Sequence, residues 1–476
     1  MMNTSNPIPE CLQSLYSPAM NQRRNDIQQP ESHTFEWIFT EKIFKENGTG
    51  FSEWLSGDDA LLWIKGKPAA GKSTLLKYVC DHETTQNVLK SRWNVNTAVA
   101  SFFFYDQASS RQWRSFDGLL RSLLYQLLRE VPCLFGCIAN MYQDACSMGS
   151  ISWKRPELEK AFIAIGKQEE VRGCICLFID ALDEYPGDCK EVVRNMERLL
   201  GWFTLGAYKL KICVSSRPLN EFETMLPLKF PGIAQIAIHE WTLADIKIIV
   251  SNRLKEANRE VPLLCKEIVS MAKGSFGWVN LVLKTLSPPL FHSESEDQLL
   301  DRLYLLPKDL NPFYAHLLEG IPKEIHYRIR TVLQLMFCNA NRHQCLTLAE
   351  YGLAVALREN SVVLDEQLPL SPSDDLRRCQ DLKVSLDTCL GAFVELEQTE
   401  DREYGPPEWT FHPLTAAQYE FTMSSLRFSH KTAKEFILSR IKSDFFQADL
   451  PADNVLTGHL RLCRLYTQLA RAKHGM

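Results

Sequence analysis

Residues 66–73 read Gly66-Lys67-Pro68-Ala69-Ala70-Gly71-Lys72-Ser73. A glycine at each end of a short loop, then a lysine and a hydroxyl, fits G-x-x-x-x-G-K-[ST]. That spacing suits a phosphorylated ligand. Loop N–H groups can wrap phosphate oxygens, Lys72 can reach the β- and γ-phosphates, and the Ser73 hydroxyl can ligate Mg²⁺. An apolar run, Leu61–Lys65, precedes the loop, and a helical stretch beginning at Ser73 follows it. Strand, loop and helix in that order bring the positive end of the helix to the phosphate.

Two later stretches supply the groups that phosphate chemistry also needs. The apolar run Ile175–Asp180 ends in a carboxylate and is followed by Ala181-Leu182-Asp183-Glu184. A carboxylate at the C-terminal end of a buried strand faces the crevice where ligands bind in open α/β sheets. Asp180 is therefore expected to bind Mg²⁺, directly or through water, and Asp183 or Glu184 to orient or deprotonate an attacking water. Lys211–Ser216 is a third such run, ending in Arg217-Pro218. A guanidinium emerging at that edge can contact a γ-phosphate and register its presence.

For these groups to meet, their strands must lie side by side. Leu61–Lys65, Ala98–Tyr105, Cys174–Asp180, Leu210–Ser215 and Ile233–His239 are apolar along their length instead of alternating. This is the signature of strands buried on both faces. Between them, Phe116, Leu119, Leu120, Leu123, Leu124, Leu127 and Leu128 form one helical stripe. The sequence thus predicts an α/β domain over 58–239, a parallel sheet with helices on both faces.

Around that domain the pattern changes. Residues 1–33 are polar and are expected to form a flexible leader. Residues 34–57 are expected to be a helical flank with Phe35, Ile38, Phe39 and Phe44 on one face. Helical periodicity over 240–305 gives a helical domain, with Thr242 as its N-cap and Asp245 three residues on, punctuated at 287–291 and Leu306-Pro307. Over 306–445, helices give way to strand-like Ala392–Leu396 and Ser425–Ser429 around a Pro/Gly-bearing loop, the order of a winged-helix-like α+β domain. A helical tail is expected over 446–476.

Composition sets limits on function. A formal charge of -5 gives no support to nucleic acid as an obligatory partner. The 15 cysteines are odd in number and scattered, and Cys174 and Cys176 sit inside an apolar strand, so they read as buried hydrophobes and not as a disulfide framework. Cys133 and Cys137 lack a second Cys/His pair at zinc spacing. The N-terminus lacks a signal-peptide pattern and no apolar run is long enough to span a bilayer, so a cytoplasmic location is expected.

The motifs taken together resemble a known family. GKPAAGKST (66–74), LFIDALDE (177–184) and VSSRP (214–218) resemble the Walker A, Walker B and sensor motifs of NACHT NTPases, part of the STAND class of signal-transduction ATPases. The flanks HTFEWIF, LLWIKGKP, SFFFY, GSFGWVNLVLKTL (274–286) and LPKDLNPFYAHLLEGI (306–321) are similar to the fungal nephrocystin-3-like, HET-type branch. The resemblance implies an ATP/ADP site with Mg²⁺, with Lys72, Ser73 and Thr74 at the loop positions, Asp180 as the metal aspartate, Asp183 and Glu184 as the acidic pair and Arg217 as the sensor. FSHKTAKEF (428–436) resembles a winged-helix stretch whose histidine holds the β-phosphate of ADP and keeps the protein closed, a role that would fall to His430. Ala69 departs from the family, where many loops have glycine, and a positive φ there would be strained.

The function implied is an ATP/ADP-controlled signalling switch that hydrolyses nucleotide slowly, in nonself recognition or programmed cell death, with protein partners or self-association. The length leaves no room for the effector and repeat domains usual in the family, so the alternative is a non-catalytic interaction module or decoy that pairs with a full-length sensor. A small-molecule kinase would need a lid and acceptor pocket, for which the C-terminal half has no signature.

Overall fold

Each of the five apolar runs becomes a strand: β1 (Leu61–Lys65), β2 (Thr97–Phe103), β3 (Gly173–Asp180), β4 (Tyr208–Ser216) and β5 (Ala234–Ala237). They form one parallel sheet in the order β2-β3-β4-β1-β5. The computed structural model describes residues 7–40, 50–93, 96–105, 111–147, 151–256, 260–286, 294–339, 346–357, 372–397 and 415–440. Phe44, the punctuation at 287–291 and the tail at 446–476 lie outside the described residues.

The absence of alternation in the sequence has a direct structural counterpart. Every residue of β3 is buried. Ile175, Leu177 and Ile179 join one apolar cluster with the helix Phe116–Glu130, while Cys174, Cys176 and Phe178 join another with the helix Lys72–Asp81. Burying each large apolar side chain contributes about 1.5–3 kcal/mol, so a strand covered on both faces is among the most firmly held elements. Burial drives the thiols of Cys174, Cys176 and Cys213 upward, in keeping with their reading as small hydrophobes.

The described part of the expected leader is not flexible. Residues 8–26 form the helix Ile8–Leu15, a 3-10 turn Pro18–Asn21 and a short helix Gln22–Asp26. Cys11, Leu15 and Met20 are buried in the sheet's core cluster. Arg121 donates to Leu15 O at 2.8 Å and to Ser14 O at 2.9 Å, and Trp153 Nε1 donates to Ser14 Oγ at 2.8 Å. The expectation is corrected because a few apolar residues at i, i+4 spacing, diluted by polar neighbours, are enough to dock a short helix once Arg121 satisfies its last carbonyls.

The flank at 34–57 is not one helix either. It comprises a 3-10 turn, Glu36–Phe39, and a separate helix, Phe51–Ser56. Phe35 and Ile38 are buried; Phe39 is half-buried. Asp245, expected to complete a capping box with Thr242, instead accepts hydrogen bonds from Phe35 N at 3.1 Å and Trp37 Nε1 at 2.8 Å. Trp37 also stacks on Trp241, with ring centroids 6.1 Å apart. These contacts tie the helix Leu243–Glu256 to the segment before the sheet, and residues 1–303 accordingly form one compact unit with no division at 240.

The second unit, 304–476, is α+β. Helices Leu310–Glu319, His326–Asn339, Leu348–Ala356 and Pro372–Ser385 precede an antiparallel pair, β6 (Val394–Glu397) and β7 (Ser425–Phe428). Arg427 on β7 pairs with both Glu395 and Glu397 on β6, fixing the register. A helix, Ala416–Met423, stands where a loop was expected, opened by a capping box between Thr415 and Gln418. Among the described residues no single helix is long and apolar enough to cross a membrane.

Candidate functional site

The strand order brings the sequence-predicted groups together. β4 lies between β1 and β3, so the loop after β1, Asp180 at the end of β3 and Arg217 after β4 emerge side by side at one sheet edge. Gly66 N donates to Ser216 O at 3.3 Å, tying the start of the 66–71 loop to the end of β4.

The loop runs through Gly66, Lys67, Pro68, Ala69, Ala70 and Gly71 into the helix Lys72–Asp81, which also carries Ser73 and Thr74. Gly71 has φ +84°, and a Cβ there would lie 2.9 Å from the Phe276 ring, so glycine is needed for both conformation and space. Ala69 has φ +55°, the strained left-handed geometry its sequence position foreshadowed. Lys72 Nζ donates to Gly66 O at 2.8 Å and Lys67 O at 2.9 Å, so its ammonium rests on its own loop. Desolvation pushes Lys72 down to about 8, against the opposing pull of Asp183 and Asp180.

Asp180 is 1% exposed. The Ser215 hydroxyl donates to its Oδ1 and accepts from Ala181 N at 3.0 Å. Burial raises the Asp180 carboxyl, while hydrogen bonding from Ser215 and Ser73 holds it back. Among the described residues, Asp180 Oδ2 is buried without a hydrogen bond. That buried carboxylate oxygen, with the Ser73 hydroxyl nearby, is a hard-oxygen set that fits Mg²⁺. Ser215 was not singled out from the sequence as a positioning residue. The available signal was a pair of serines closing an otherwise apolar strand.

Arg217 and Asp183 are joined. Arg217 Nε lies 3.2 Å from Asp183 Oδ2, and Arg217 N donates to Asp183 Oδ1 at 3.1 Å. Their side chains are 17% and 5% exposed. Glu184 lies on the 3-10 turn Leu182–Glu184 with its charge felt at Lys72. The turn starts from Ala181, which has φ +57°.

His430 belongs to the second unit. It precedes the helix Lys431–Arg440, its carbonyl accepts from Lys434 N at 3.2 Å, and its Nδ1 accepts from Thr432 N at 3.0 Å. This is an N-cap arrangement, which leaves the proton on Nε2. Among the described residues no group of three or more His, Cys, Asp or Glu side chains is arranged to hold a metal.

Residues 33–217 match the family described as Nephrocystin 3, N-terminal. The vegetative incompatibility protein HET-E-1 of Podospora anserina is 28% identical over 286 residues, 57% of this chain. These matches support the resemblance of residues 33–217 to the nephrocystin-3-like, HET-type branch of the NACHT-type P-loop NTPases. It spans about a fifth of the length of HET-E-1, 20% of that protein. Among solved structures, this chain is similar to Drosophila ORC bound to DNA, with a TM-score of 0.35 and 12% identity over 92% of this chain and 93% of that one. It is also similar to Cdc6p from Pyrobaculum aerophilum, with a TM-score of 0.31 and 12% identity over 95% and 96% of the two chains. Both likenesses are remote, and the NACHT resemblance rests on the sequence matches.

Proposed function

We propose that this NACHT-type chain is an ATP/ADP-controlled switch that binds Mg-nucleotide in the 66–73 loop and hydrolyses it slowly. One observation carries the reading: Asp180 Oδ2 is buried without a hydrogen bond among the described residues, in a cluster with Ser73, Lys72 and Arg217. Lys72 would leave its own loop carbonyls for the β- and γ-phosphates, a like-for-like exchange of oxygen acceptors. Ser73 and Asp180 would hold Mg²⁺, which when bound offsets phosphate charge. Asp183 or Glu184 would orient the attacking water.

Arg217 is the element that would tell ATP from ADP. A γ-phosphate competes with Asp183 for the guanidinium, so the triphosphate draws Arg217 away and the diphosphate does not. The signalling role in nonself recognition or cell death, the cytoplasmic location and protein partners or self-association follow from the family and are part of the proposal. The test is identification of nucleotide retained through purification, paired with size-exclusion chromatography in Mg-ADP and in Mg-ATP. Retained ADP and a nucleotide-dependent change in size support the switch. Binding without turnover or change in size favours a non-catalytic module.

A further inference from the structure

The segment before the family match, which reads as a leader in the sequence, reaches the same sheet edge. Residues 22–27 are fastened to the helix that follows the 66–71 loop: Arg24 pairs with Asp81, and Lys77 Nζ donates to Ile27 O. Both ties lie just after Arg23 in the chain, at residues 24 and 27, and hold its segment in place. Its guanidinium lies over the Tyr105 ring, 4.7 Å from the centroid, and it lines a cleft with Met20, Phe103, Tyr105 and Trp113. That cleft is at the C-terminal end of β2, where Phe103 is paired with Asp180 and Phe104 N donates to Asp180 O at 3.2 Å.

Strand order then gives Arg23 a definite relation to the site. β4 and Arg217 lie on one side of β3; β2 and Arg23 lie on the other. Asp180 is thus flanked by arginines from opposite directions. Arg217 is engaged by Asp183, whereas Arg23 Nε is buried and makes no hydrogen bond among the described residues. An aromatic face occupies none of a guanidinium's five N–H donors, so the Tyr105 contact holds the group without using its donors.

We infer that Arg23 is a second phosphate-sensing residue, which contacts the terminal phosphate of a bound nucleoside triphosphate from the β2 side of the crevice. The inference rests on the nucleotide-switch reading and deepens it. It makes the segment around residues 18–27 part of the site. A nucleoside diphosphate has no γ-phosphate to offer, so Arg23 should favour the triphosphate selectively.

The experiment is calorimetric titration of the parent chain, Arg23→Gln and Arg23→Lys with Mg-ADP and with a Mg-bound non-hydrolysable ATP analogue. Thermal unfolding of each variant is followed in parallel. Arg23→Gln should weaken the triphosphate by about tenfold or more, the scale of a lost charge-assisted hydrogen bond, and leave the diphosphate within about twofold. Arg23→Lys should recover part of the difference, since it keeps the charge and loses the fork. An unchanged triphosphate-to-diphosphate ratio in Arg23→Gln overturns the inference and leaves the switch standing, and a lower melting temperature with that ratio unchanged assigns Arg23 to packing alone. A parent chain that binds neither nucleotide overturns both readings.

Discussion

The backbone N–H of Gly277 donates to the carbonyl of Ala69 at 3.1 Å. This bond joins the first turn of the helix Phe276–Leu286 to the middle of the candidate phosphate-binding loop. A Cβ built on Gly277 would lie 2.4 Å from Ala69 Cβ, closer than side chains can approach. The alanine that departs from the family loop is therefore accommodated by a glycine more than two hundred residues away. Gly277→Ala should destabilise the protein by about 1–3 kcal/mol in denaturant unfolding. Ala69→Gly removes the opposing methyl, so the double variant should fall within about 1 kcal/mol of Ala69→Gly alone. Additive losses would show that the two positions do not meet.

Asp245 receives two donors, Phe35 N and Trp37 Nε1, from a segment more than two hundred residues upstream. Asp245→Ala leaves both without an acceptor. The expected loss is about 2–4 kcal/mol in unfolding free energy, with a change in Trp37 fluorescence. A loss under about 0.5 kcal/mol would mean that water replaces the carboxylate and that the clasp is not structural.

Much of this site was legible in the sequence, and the misses share a cause. Asp180 and Arg217 stand at the ends of apolar runs, Lys72 and Ser73 follow another across a short loop, and a run without alternation has few ways to pack other than inside a parallel sheet. Their convergence follows once β4 lies between β1 and β3. Arg23, Asp245, Ser215 and Gly277 act through partners far away in the chain, and no periodicity marks such pairs. The leader was misread for the same reason. Its helix, Ile8–Leu15, is held by Arg121 and Trp153, neither of which a local pattern can reveal.

The Arg217–Asp183 pair gives a prediction on nucleotide preference. Asp183→Asn removes the charge that retains Arg217 and should raise affinity for a non-hydrolysable ATP analogue over ADP by about three- to tenfold, read by calorimetry. An unchanged preference would mean that Arg217 does not exchange partners.

Lys72 gives a pH dependence of stated sign. In the ligand-free fold it titrates at about 8, below the ordinary lysine value of 10.5. Between those values the unfolded chain holds a proton that the folded chain has released, so this residue's contribution to stability rises with pH across the window and is lost as pH falls through 8. Nucleotide binding should run the other way. Phosphate requires the ammonium, so binding above pH 8 must take up a proton, and affinity should fall by up to about tenfold per pH unit from 8 to 9.5. Calorimetry in buffers of different ionisation enthalpy reads that uptake directly. No proton uptake at pH 9 would show that Lys72 stays charged in the empty loop.

The central claim is that residues 66–73, with Asp180, form a working Mg-nucleotide site. Its most direct test is the affinity of purified, nucleotide-stripped protein for Mg-ADP and a Mg-bound non-hydrolysable ATP analogue, measured beside Lys72→Ala of equal thermal stability. The account predicts saturable one-to-one binding in the parent chain and a loss of at least about a hundredfold in Lys72→Ala, as expected for removing a charged group that contacts two phosphates. Equal affinity in the two proteins, or no binding by the parent chain, would contradict it.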